Sequence, residues 1–164
     1  MSHASVHLFG GFAKHLADPV HSMEYGDIDM VTTNVSVMQD LEDRFGYRFQ
    51  EMSQATSRPR YFVGKSTKAG KSLHLVLLGS DAEAQLFIHN AQYDIDRFAY
   101  HVGEFHPAPG LSMDAVRGAL RSKQATLATG PRNMDLYTPS RTQVEQKHKA
   151  KLLTKGYTVI ERAS

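Results

Sequence analysis

Val37-Met38-Gln39-Asp40-Leu41-Glu42-Asp43-Arg44-Phe45-Gly46 is the stretch on which the fold turns. Val37, Met38, Leu41 and Phe45 fall at i, i+1, i+4 and i+8, which lie on one face of a helix. Ser36 is placed to cap its start, and Gly46 to stop or kink it. Tyr47, Phe49 and Met52 continue an apolar stretch beyond it. A helix with one apolar stripe must cover a sheet or another helix, so the flanking segments are read for strands.

Upstream, residues 5–9 alternate, with Val6 and Leu8 on one face, and end at Gly10-Gly11. Asp18-Pro19 and Tyr25-Gly26 are turn signals. Residues 27–35 hold Ile28, Met30, Val31, Thr32 and Thr33, a composition that suits a second strand. Downstream, residues 60–63 read as a short strand and residues 66–70 as a polar connection. Leu73, Leu75 and Leu77 alternate with His74, Val76 and Leu78, so both faces are largely apolar, as in a central strand. Gly79-Ser80-Asp81 is a turn, and Leu86-Phe87-Ile88 is too short for periodicity to separate strand from helix.

The composition shifts near residue 92, and a domain boundary is placed at 91–93. Phe98, Tyr100 and Val102 alternate as a strand. His106-Pro107-Ala108-Pro109-Gly110 reads as a rigid loop, and Ser112 as the cap of a helix carrying Ala115, Val116, Ala119 and Leu120. Gly130-Pro131 and Thr138-Pro139-Ser140 are breaks. Residues 141–155 form a basic helix with Val144, Lys151 and Leu152 in register, closed by Gly156, and residues 157–160 a last strand.

The bulk numbers exclude several classes of function. The 164 residues are 41% hydrophobic and 22% charged, enough for a modest core, and the formal charge is only +2. That balance gives little electrostatic reason to expect nucleic-acid binding, which uses clustered Lys and Arg. With no cysteine there is no disulfide, thiolate zinc site or cysteine nucleophile. No secretory signal is expected, and the longest apolar run, 75–78, is far short of the ~20 residues that span a bilayer.

Four patterns carry possible chemistry. Gly64-Lys65-Ser66-Thr67-Lys68-Ala69-Gly70-Lys71-Ser72 is near a phosphate-binding loop, but one residue too many precedes Gly-Lys-Ser and a strand follows, so a solvated basic hairpin is the expectation. His101, Glu104 and His106 are metal-ligand types, with His74 and His89 elsewhere, yet His101 and His106 would not share a strand face. Asp27-Ile28-Asp29 and Asp94-Ile95-Asp96 each precede a strand-like run and hint at an internal duplication of the kind found in vicinal-oxygen-chelate enzymes, a hint for which coincidence is the simpler account. Lys147, His148, Lys149, Lys151 and Lys155 on the basic helix could touch nucleic acid, but a solvated face is the default.

Val6-His7-Leu8-Phe9-Gly10, the helix from Val37 with its extension to Met52, Arg60-Tyr61-Phe62-Val63-Gly64-Lys65, Leu73-His74-Leu75-Val76-Leu77 and Ser80-Asp81-Ala82-Glu83-Ala84-Gln85-Leu86-Phe87-Ile88 follow one another in an order that resembles the tail assembly protein I family of lambda-like bacteriophages. The resemblance implies a β-grasp, ubiquitin-like domain with a strand at 84–89. The fold expected is therefore α+β: an N-terminal β-grasp domain, 1–92, followed by a smaller mixed α/β C-terminal region, 93–164. The implied function is non-enzymatic assembly of a phage tail tip through protein–protein contacts, in the host cytoplasm and the virion tail. Its partners would be other tail-tip proteins, with no membrane and no nucleic acid. No catalytic, cofactor-binding or metal residue and no cofactor is assigned on this reading. The alternative is a metal-dependent vicinal-oxygen-chelate enzyme acting on a small molecule.

Overall fold

The computed structural model describes residues 5–21, 25–52, 60–128 and 141–161, with side chains from Glu145 onward in the last segment. The protein is α+β, with a seven-stranded mixed sheet in the order β3-β4-β5-β2-β1-β6-β7. These strands are β1 Val6–Phe9, β2 Ile28–Thr32, β3 Arg48–Glu51, β4 Arg60–Lys65, β5 Leu73–Leu77, β6 Phe98–His101 and β7 Glu104–Pro107. Central β2 and β5 run parallel, with Asp29 opposite His74 and Val31 opposite Val76; the other pairings are antiparallel. A separate parallel pair joins β8 Gln124–Thr126 to β9 Thr158–Ile160. Five α-helices occur among the described residues: α1 Gly10–Ala17, α2 Ser36–Phe45, α3 Asp81–His89, α4 Met113–Ser122 and α5 Arg141–Thr154.

The alternation along β2 decides how the layers form. Ile28 and Met30 point to the face covered by α2, where Val37, Leu41 and Tyr47 pack with Phe62, Leu73 and Leu75. Val31 points to the opposite face with Val76, covered by Ala84, Phe87 and Ile88 of α3. A third core lies under α1, where Ala13 and Ala17 meet Tyr93, Ile95, Phe98, Val116, Leu120, Ala125 and Leu152. The sheet runs across residue 92, because β6 pairs with β1 through Leu8 and Tyr100.

Several local expectations change. The segment 84–89 is helix α3, not a strand. Ser80 Oγ accepts from the Glu83 amide, and Glu83 reaches back to the Gly79 amide, a reciprocal cap that starts a helix. The first strand ends before Gly10-Gly11, as expected, but these glycines open helix α1 rather than a turn. Ser36 does not cap α2; the Asn34 side chain accepts from the Ser36 amide, and the helix starts without a side-chain cap at Val35. Gly46 does end it, at φ 70°. Ser112 caps α4 through the Ala115 amide, and residues 66–72 join antiparallel β4 to β5 as a hairpin. His106 and Pro107 belong to β7, so the rigid loop starts later than expected. Asp94–Asp96 forms a 3-10 turn where Asp27 and Asp29 border and enter a strand, so the two Asp-x-Asp strings are not equivalent and the duplication is withdrawn. The breaks at 130–131 and 138–140 and the Val144 side chain lie outside the described residues. No described helix is long and apolar enough to cross a membrane.

Candidate functional site

At the start of β2 the pleat places Asp27 and Asp29 on one face of the sheet, because side chains two apart along a strand point the same way. Antiparallel pairing sets Phe9 opposite Asp29, so α1 begins directly beside the Asp29 carboxylate. Gly10 is required there. Its φ is 68°, and a Cβ on it would stand 2.5 Å from Asp29 Oδ2. From β5, His74 bridges the pair, with Nε2 3.1 Å from Asp27 and Nδ1 3.5 Å from Asp29.

Asp29 opens into a cavity of about 440 Å³ whose walls include Gly10, Gly11, Lys14, Asp96, Lys147, Lys151 and Lys155. This is within the usual size range of small-molecule sites. Lys147, Lys151 and Lys155 fall four apart, a single stripe of α5 and the residue after it. The Lys14 ammonium lies 2.8 Å from Asp96 and His148 approaches the same carboxylate at 3.3 Å, while His148 Nδ1 contacts Gln92 Oε1 at 3.1 Å.

The charges in this cavity are unevenly matched. Burial raises the Asp96 pKa, but Lys14 and His148 outweigh it and hold the carboxyl well below the usual range. Burial lowers Lys14, and Asp96 outweighs it, so the ammonium is held above its ordinary value. Lys155 is lowered by burial and then by repulsion from Lys14 and Lys151. Asp29 is pushed up to about 6, first by burial and then by the Asp27 and Asp96 charges, against the pull of His74 and Lys14. Among the described residues the cavity is lined by Lys14, Lys147, Lys151 and Lys155 against the carboxylates of Asp29 and Asp96, so cations outnumber carboxylates there.

Of the groups at this end of the cavity, the Asp27 and Asp29 carboxylates are the hard oxygen donors of the kind that bind a divalent cation. Among the described residues no group of three or more His, Cys, Asp or Glu side chains is arranged to hold a metal. One or two carboxylates are the usual protein share of a magnesium site, with water and substrate phosphate oxygens completing the shell. His101, Glu104 and His106, weighed as ligands from the sequence, sit on the β6–β7 hairpin; His101 lies edge-on to His106 at 6.0 Å, and Glu104 is 78% exposed. From the sequence Asp27 and Asp29 stand out only as half of a repeat, and the α5 lysines as a face that could touch nucleic acid but is solvated by default.

No protein-family model and no curated protein sequence matches the chain. Solved structures do share its fold. A tRNA-processing enzyme in its apo form I matches with a TM-score of 0.57 at 15% identity, over 94% of this chain and 39% of that one. A CCA-adding enzyme in complex with ATP matches with a TM-score of 0.62 at 11% identity, over 94% of this chain and 34% of that one. A tRNA-processing enzyme with CTP matches with a TM-score of 0.51 at 16% identity, over 75% of this chain and 32% of that one. The chain spans about a third of the length of these neighbours.

These likenesses overturn the phage-tail reading. The neighbours are tRNA-processing enzymes and not tail proteins, so the tail assembly family, non-enzymatic tail-tip function, tail-tip partners and virion tail are withdrawn. So are the vicinal-oxygen-chelate alternative and the exclusion of nucleic acid as a partner. The patterns that carried the resemblance, at β1, α2, β4 and β5, are the generic alternation and amphipathicity of any helix on a sheet, and do not specify one fold.

Proposed function

We propose that the chain is a nucleotidyltransferase-type domain that binds a nucleoside triphosphate and directs its α-phosphorus toward an acceptor hydroxyl, so that a phosphodiester bond forms as the α–β phosphoanhydride breaks, pyrophosphate leaves and the hydroxyl proton passes to solvent. The observation that carries this is one cavity joining the Asp29 end of a carboxylate pair to three lysines in a stripe. Structures of a CCA-adding enzyme with ATP and with CTP, which share the fold, support it. The sheet continues past residue 92 into β6 and β7, which favours this reading over a separate β-grasp domain at 1–92, and a cytoplasmic location is compatible with it.

The chain's residues divide the work by charge. Lys147, Lys151 and Lys155 neutralise the polyphosphate, and the Gly10 and Gly11 amides at the start of α1 border it without a side chain in the way. Asp27 and Asp29 would hold a divalent cation, which supplies neutralisation of charge on the transferring phosphoryl group. The Lys14–Asp96 pair fixes α1 against the 3-10 turn, so the Gly10–Asp29 approach keeps its geometry. His74 holds both carboxylates on one side of the sheet.

Incubation of the protein with α-labelled ATP or CTP, magnesium and a short RNA tests the reading. Label is expected in the RNA and is expected to disappear with Asp27→Asn or Asp29→Asn. Equal incorporation by wild type and both variants would refute it.

A further inference from the structure

A second surface adjoins the carboxylate pair and uses none of the cavity's lysines. Phe12 and His15 project from α1, and Tyr25 stands two residues before Asp27. The Tyr25 ring lies 5.0 Å from Phe12 and 5.1 Å from His15, while Phe12 and His15 are nearly parallel at 6.4 Å. None of the three belongs to a core cluster, and all are partly exposed. The three rings thus form an aromatic cluster that is open to solvent on part of its surface. Lys71 Nζ sits 4.7 Å over the Tyr25 ring and donates to the Tyr25 carbonyl at 3.0 Å. Lys71 ends the β4–β5 hairpin, which also exposes Lys65 and Lys68. Among the described residues none of these three lysines has a carboxylate partner.

Partly exposed rings beside lysines with no carboxylate partner among the described residues suit single-stranded nucleic acid, whose bases stack on the rings while lysines follow the phosphates. A protein partner would need apolar knobs to fill the patch, and its acidic groups would meet the neighbouring Asp27. We infer that Phe12, His15, Tyr25 and Lys71 form a stacking platform for the last bases of a single-stranded nucleic acid and present its end to Asp27 and Asp29. This rests on the nucleotide-transfer reading and identifies the acceptor.

The test is fluorescence anisotropy of 5′-fluorescein-labelled single-stranded RNA and DNA of one sequence, and of the corresponding duplex, with the full chain. In parallel, a fluorescent ATP analogue is titrated into each variant. Tyr25→Ala is expected to weaken single-strand binding roughly ten-fold, within the usual range for loss of one base stack, while Tyr25→Phe retains it. Lys71→Gln is expected to weaken it about two- to three-fold and to flatten its salt dependence. The tighter of the RNA and DNA arms names the natural strand. Single-strand affinity unchanged in both Tyr25→Ala and Lys71→Gln would overturn the inference, as would equal loss of oligonucleotide and ATP analogue, or duplex binding as tight as the single strand. Absence of ATP-analogue binding to wild type, with Tyr25-dependent strand binding intact, would sink the nucleotide-transfer reading and leave the platform standing.

Discussion

The Lys14 ammonium and the Asp96 carboxylate meet at 2.8 Å in the cavity wall, with only 11% and 10% of their side chains exposed. The contact ties α1, which follows the first strand, to the 3-10 turn that precedes β6, and so fixes two of the cavity's walls. Removing one member leaves a buried charge without its partner. Lys14→Met is therefore expected to destabilise the protein by about 3–5 kcal/mol. The double variant Lys14→Met/Asp96→Leu should recover much of that loss. Urea denaturation monitored by circular dichroism checks both, and a double variant no better than the single would show that the pair is not the source.

The same pair sets an acid limit to stability. Asp96 has its folded pKa held below the ordinary 3.8, so its contribution is complete above that value and is lost as pH falls through the folded value. Lys14, raised above 10.5, contributes fully below that value and loses its part as pH rises through the folded one. Neither group titrates across neutral pH, so the pair's contribution to stability should hold level there and fall at both ends. Thermal denaturation of Asp96→Asn should show a flatter acid limb than wild type.

A separate dependence arises at His7 on β1, stacked 3.8 Å from His101 and nearly parallel to it. Burial lowers the His7 pKa, and His101 and His106 lower it further against an opposing Asp81. The folded protein therefore takes up a proton at His7 less readily than the unfolded chain. Stability should decline as pH falls from about 6.5, and His7→Phe should remove that part of the decline. Melting temperatures between pH 5 and 8 provide the readout.

Gly10→Ala tests the close approach at the head of α1. The new Cβ would stand 2.5 Å from Asp29 Oδ2 and require φ near 68°. A cost of about 1–3 kcal/mol is expected from the strained backbone, together with loss of nucleotide affinity as Asp29 is displaced. Gly118→Ala is the control, since a Cβ there meets nothing within 4 Å.

Much of the fold was legible because its signals are local. The α2 stripe at Val37 and Leu41, the two-faced apolar β5 and the Ser112 cap each act over a few residues. The α3 error had a readable remedy: Ser80-Asp81-Ala82-Glu83 carries the Ser-x-x-Glu capping signature, but the contiguous Leu86-Phe87-Ile88 outweighed it. The α1 helix was hidden by Gly10-Gly11, which reads as a turn unless Asp29 is known to lie against it. Of the site, the Asp27-Ile28-Asp29 string was visible, and strand alternation alone puts both carboxylates on one face. What joins them to Lys14, Lys151 and Lys155 is tertiary packing across most of the chain, and no local pattern encodes it.

The most direct measurement is calorimetric titration of ATP and CTP into wild type and Asp27→Asn/Asp29→Asn, with and without magnesium. The account predicts saturable binding to wild type that tightens with magnesium, and a double variant in which magnesium no longer strengthens binding. No binding to wild type, or an identical magnesium effect in both proteins, would contradict it.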